Sequence, residues 1–257
     1  MRRWVAGLVA GGMLLVGCAG NDSNQSGGQA TPQRVTVLVS AAASLTDVFG
    51  ALEQPFEQAN PGADLQFNFG SSSDLAQQIV NGAPADVFAS ANETQLKVVS
   101  DAGLTDGPGQ IFATNVLTIV VPPGNPKGIS SFADLAGPDV TEVVCAPQVP
   151  CGSATEKIET TTGTQLSPAS EEQDVRAVLA KVVAGEADAG LVYVTDAASV
   201  KGKVEQIDFT EAGTAVNKYP IAALTNAPQP QHAQAFVDFV LGPQGQQALA
   251  DAGFGKP

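Results

Sequence analysis

From Gln33 onward, short valine- and phenylalanine-rich runs alternate with segments of helical periodicity, and this alternation restricts the chain to an α/β fold. RVTVLVS (34–40) reads as a strand buried on both faces. SLTDVFGALEQPFEQAN (44–60) sets Leu45, Val48, Phe49, Leu52 and Phe56 at helical spacing, and Pro55 predicts a kink or a break within it. ADLQFNF (63–69) and ADVFAS (85–90) are further strands around a short helix, SDLAQQIVNG (73–82). NETQLKVVSDAG (92–103) is a helix with an asparagine cap and a glycine stop.

The second half repeats the pattern. NVLTIVVPPGNP (115–126) is an apolar strand, SFADLAG a short helix, TEVVCA a strand and GSATEKIETTTG a helix. SEEQDVRAVLAKVVAGEA (170–187) is an amphipathic helix, and DAGLVYVTDA a strand entering a loop. Strand candidates follow near 203–209 and 219–224, then two closing helices. Strands alternating with helices predict largely parallel sheets.

The first residues are a targeting segment and stand outside the fold. Arg2 and Arg3 precede the apolar stretch WVAGLVAGGMLLVG, which ends in LVGC and resembles a lipobox with Cys18 as the lipidated residue. The expected division is a lipoprotein signal peptide over 1–17 and a flexible tether over 18–31, leaving an extracytoplasmic domain anchored to the cell membrane through Cys18. A plain signal peptide followed by a chance cysteine is the alternative. The paired arginines lack the rest of a twin-arginine motif.

Over the whole chain, 12 Lys+Arg stand against 26 Asp+Glu, for a formal charge of −14. Without basic clusters, this argues against nucleic acid and against an anionic membrane surface as partners.

Catalytic constellations are missing from the pattern: there is no G-x-S-x-G elbow and no His/Cys cluster of metal type. The single His232 lies on a closing helix, and Glu171–Glu172 opens a helix where negative charge suits the dipole. Cys145 and Cys151, in CAPQVPC, form a disulfide or remain two reduced thiols; export permits the former.

Binding constellations are better supplied. SAAASLTD puts Ser44, and GSSSDL puts Ser71, Ser72 and Ser73, between the carboxyl end of a strand and a helix start. Free first-turn N–H groups there favour anions, although each serine alone is also an ordinary N-cap.

VLVSAAASLTDVF, FNFGSSSDLAQQIVNGAPADVFASAN, QVPCG, EEQDVRAVLAKV and AGLVYVTDA occur in that order. The set is similar to the molybdate-binding proteins of ABC transporters, over nearly the whole mature chain. The resemblance implies a two-lobe periplasmic-binding-protein-like fold of type II, with 32–113 plus 222–257 as the first lobe and 114–221 as the second. The hinge is then expected near ATNV and IAAL.

It further implies a monomer with no cofactor and no enzymatic activity. Such a protein captures molybdate or tungstate and passes it to a permease with a cytoplasmic ATPase. Carried over residue by residue, Ser44 and Ser72 give hydroxyl and amide donors. Cys151 and Val175 give backbone N–H groups, and Tyr193 a phenolic hydroxyl. Cys151 replaces the small residue usual there, and a bond to Cys145 would fix that loop. Arg176 adds positive field from behind the site, or else pairs with Glu171 or Glu172 at the surface. Two rival readings are a binder of sulfate, thiosulfate or phosphate on the same fold, and an exported enzyme or recognition protein that keeps it.

Overall fold

The computed structural model describes residues 34–257, so the leader, the tether and Cys18 lie outside the described residues. The strands sort into two five-stranded sheets, each with its own core and flanking helices. The first sheet runs β2 (Ala63–Gly70), β1 (Val35–Ala42), β3 (Val87–Ala89), β10 (Asn217–Ala223), β4 (Gln110–Asn115). The second runs β7 (Ser170–Glu172), β6 (Glu142–Cys145), β8 (Ala189–Tyr193), β5 (Leu117–Val121), β9 (Glu205–Ile207).

With the first sheet go α1 (Thr46–Ala59), α2 (Ser72–Val80), α3 (Glu93–Asp101), α7 (Pro230–Leu241) and α8 (Pro243–Asp251). With the second go α4 (Pro150–Thr162), α5 (Val175–Val183) and α6 (Val194–Ser199). The first core is aromatic: Phe236 meets Phe49 and Phe56 edge-on at 5.5 and 5.3 Å, a favoured ring geometry. The second is mostly aliphatic, built on Ile119, Val120, Val178, Leu179 and Leu191.

Several expectations need correction. The sheets are mixed, because β10 is antiparallel to β3 and β4, and β5 is antiparallel to β8 and β9. Both strands enter their sheet from the other lobe, which reverses their sense. Helix α1 runs on through Pro55; burying Val48, Phe49, Leu52 and Phe56 on one face outweighs the lost backbone bond. The amphipathic segment at 170–187 divides into strand β7 and helix α5. Asp174 caps the helix by accepting from the N–H groups of Arg176 and Ala177. Glu171 and Glu172 therefore lie in a strand, not in a helix's first turn. A short helix, α6, follows Tyr193 where a loop was expected, and β4 is a strand that the sequence reading passed over.

The lobes exchange chain at two adjacent points. β4 ends at Asn115 in the first sheet and β5 begins at Leu117 in the second, so Val116 is one crossing. The return falls just before Asn217, earlier than the IAAL expected, because β10 pairs with β4 and β3 along its length. Asn115 and Asn217 are paired neighbours in that ladder. The two hinge strands thus lie side by side.

Candidate functional site

Strands β1, β2, β6 and β7 all end at the cleft between the sheets, and a helix starts beyond each: a 3-10 turn (Ala43–Leu45) leading into α1, then α2, α4 and α5. Strand carboxyl ends are where open α/β sheets hold ligands. No side chain caps the starts at Ala43, α2 or α4, so their first-turn N–H groups are left to other partners. At α4, Pro150 occupies the first position, where its lack of an N–H costs nothing.

These starts surround one small cavity of about 20 Å³, room for a compact ion and far below the several hundred Å³ of a drug-sized site. Ser44, Ser72, Cys151, Val175 and Tyr193 all line it, and all five are 1–4 % exposed. The cavity thus gathers residues of both lobes. Ala91, Gln173 and Asp174, unmarked in the sequence, line it too. Asp174 is the one ionisable carboxylate among the lining residues, and its Oδ1 is held by the two backbone donors of α5.

The hydroxyls are oriented by the protein. The Ala91 N–H donates to Ser72 Oγ at 3.0 Å, leaving the Ser72 proton for the cavity. Ser44 Oγ and the Tyr219 hydroxyl share a hydrogen bond at 3.0 Å. Tyr219 was missed in the sequence: its only signal is a position in an apolar strand, and its partner is 175 residues away. Its ring packs edge-on against Tyr193 at 5.9 Å, across the lobes. Burial pushes both phenols upward, so each stays a neutral O–H at ordinary pH.

Arg176 does not line the cavity. Its expected partners Glu171 and Glu172 are replaced by Asp47 on α1 of the other lobe and by Asp196 on α6, at 2.8 Å. Glu172 pairs with Lys181. Asp196 is wholly buried, and desolvation pushes its carboxyl up to about 7 against the opposing pull of Arg176 and the Tyr193 N–H. Other bonds cross the cleft beside the cavity: Ser73 Oγ and Gln95 Nε2 both donate to the Gln148 carbonyl, at 2.7 and 3.3 Å. The lobes are latched over the cavity.

Cys145 and Cys151 are disulfide-bonded, with Cα atoms 5.7 Å apart. The bridge ties the end of β6 to the first turn of α4 and so fixes where the Cys151 N–H points. Gly152 completes this corner. A Cβ there would stand 1.9 Å from the Ala146 carbonyl oxygen, so only glycine lets α4 approach the loop.

Two α/β lobes joined by paired hinge strands, with a small donor-lined cavity in the cleft, define a solute-binding protein of the cleft type. The chain belongs to the bacterial extracellular solute-binding protein family, whose model matches residues 37–255. It is 47% identical over 260 residues, 99% of this chain and 100% of the relative, to the molybdate-binding protein ModA of Mycobacterium tuberculosis (strain ATCC 25618 / H37Rv). Among solved structures, the periplasmic molybdate-binding protein of Azotobacter vinelandii superposes with a TM-score of 0.74 at 22% identity, covering 86% of this chain and 99% of that one. The sulfate-binding protein SubI of Mycobacterium tuberculosis H37Rv also gives 0.74, at 21% identity and 86% of each chain. The fold alone does not choose the anion.

Proposed function

We propose that this protein captures molybdate, and tungstate with it, outside the cytoplasm and delivers it to the permease of an ABC importer. The observation that carries the reading is the cavity itself: hydroxyls of Ser44, Ser72 and Tyr193 and the helix starts of α2, α4 and α5 meet in a space sized for one small ion. A sealed oxyanion loses its hydration, so its oxygens need replacement donors. Hydrogen bonds to a charged acceptor contribute about 1.5–3 kcal/mol each, and helix N-termini add partial positive charge at the same place. Neutral amides and hydroxyls do this without titrating.

Selectivity then follows from size and from proton count. Molybdate and tungstate have longer bonds to oxygen than sulfate, so donors spaced for them underfill around sulfate. Protonated phosphate wants an acceptor; among the lining residues only Asp174 carries a carboxylate, and one of its oxygens, Oδ1, is committed to the N–H groups of Arg176 and Ala177. A site that leaves one polar partner unmatched discriminates strongly.

Sulfate is the second reading, because the fold is shared equally with a sulfate-binding protein and does not separate the two anions. Calorimetric titration of the purified protein with molybdate, tungstate, sulfate and phosphate decides between them. One-to-one binding of the first two, with a weak response to the others, is the expected result. Tightest binding of sulfate would transfer the assignment, and no response to any would remove it. The protein acts as a monomer held at the membrane by lipidated Cys18, in the LVGC motif. Mass spectrometry of the N-terminal peptide from the same preparation tests the anchor, since an unmodified start would rule it out.

A further inference from the structure

We infer that Ser71 is a direct ligand of the bound oxyanion, a donor additional to the five residues above; the inference rests on the oxyanion reading of the cavity. Ser71 stands at the N-cap of α2, where a serine ordinarily turns its oxygen back onto an N–H two or three residues ahead. Here it caps nothing. Ser71 is 6 % exposed, it lines the cavity, and its Oγ is buried with no hydrogen-bond partner.

Among the described residues, the other buried side-chain atoms without such a partner are Tyr193 OH, Arg176 Nε and Asp196 Oδ1. The last two face each other at 2.8 Å. The remaining two, Ser71 and Tyr193, are both hydroxyls, and both line the same cavity. Buried hydroxyls are nearly always satisfied, because leaving one alone is costly. Two of them converging on one ion-sized space point to a single ligand that satisfies both.

The neighbouring serines show why Ser71 stays free. Ser72 Oγ is engaged by the Ala91 N–H, and Ser73 Oγ donates across the cleft to the Gln148 carbonyl. Of the triplet, Ser71 alone keeps its whole hydroxyl for the cavity. Its capping role lapses because the first-turn N–H groups of α2 face the same ion.

The test is calorimetry with molybdate on the wild type, Ser71→Ala and Ser71→Cys, together with thermal unfolding of each ligand-free protein. Loss of a bond to a charged acceptor predicts affinity about 10- to 100-fold weaker in Ser71→Ala. Ser71→Cys should weaken similarly, because a thiol is a poor donor. The ligand-free melting temperature of Ser71→Ala should equal or exceed that of the wild type, since an unsatisfied hydroxyl is removed. Wild-type affinity in Ser71→Ala overturns the inference. So does a lowered ligand-free melting temperature with affinity unchanged, which is the signature of a cap. If the wild type itself binds none of molybdate, tungstate or sulfate, the oxyanion reading falls first and the role of Ser71 with it.

Discussion

Ser44 illustrates how a side chain is prepared for a ligand by a residue that never touches it. Its hydroxyl is paired with Tyr219, and Tyr219 does not line the cavity. Tyr219→Phe keeps the ring packing and removes that partner. Molybdate affinity should fall a few-fold to about tenfold, the range of one neutral hydrogen bond, with the fold retained; calorimetry alongside circular dichroism checks both. An unchanged affinity would mean that Ser44 is oriented by its backbone alone. At this scale the sequence was legible where a residue adjoins a strand end, as with Ser44 and Ser72. It was not legible for Tyr219, whose role depends on a contact between distant parts of the chain, nor for Asp174, where a cap and a cavity wall coincide.

The corner formed by β6, the disulfide and α4 is the element whose chemistry depends most on backbone geometry. Gly152→Ala drives a methyl group into the Ala146 carbonyl. Relieving it should cost about 1–3 kcal/mol of stability, as overpacking generally does. It should also weaken oxyanion binding through displacement of the Cys151 N–H. Denaturant unfolding and titration of the variant measure the two effects, and retention of both would show that the corner yields. Most helices and strands were readable from apolar spacing. The errors have separate causes: β7 and α5 form one unbroken polar-to-amphipathic run, and only the Asp174 cap divides them. Pro55 signalled a break that buried aromatic contacts overrode. Nothing in an apolar run such as NKYPIAA tells which of two sheets it will join.

For the molecule as a whole, the puzzle is an anion held by a chain of formal charge −14. Surface charges are screened within about 8 Å at physiological salt, whereas helix starts act at contact distance. Closure has its own electrostatics in the Asp47–Arg176–Asp196 group, which links α1 of one lobe to α5 and α6 of the other. With its carboxyl raised to about 7 by burial, Asp196 holds its proton in the folded protein over a range where the unfolded chain has lost it. The folded state therefore binds more protons between about pH 4 and about 7, and stability falls as pH rises through that window. Asp196→Asn should lack this fall. Unfolding free energies measured across the window compare the two, and parallel curves would refute the assignment. The two-lobe organisation was legible through the resemblance, but the mixed strand directions and the return crossing were not, since both depend on which lobe a strand enters from.

The chain contains two tyrosines. Tyr193 lines the cavity from one lobe, and Tyr219 backs Ser44 from the other, ring against ring. Every tyrosine chromophore in the protein thus sits where the lobes meet over the ligand. The near-ultraviolet dichroism of this pair should report closure without a label, and removal of the leader takes away the single Trp4, whose absorption would overlap the tyrosine bands.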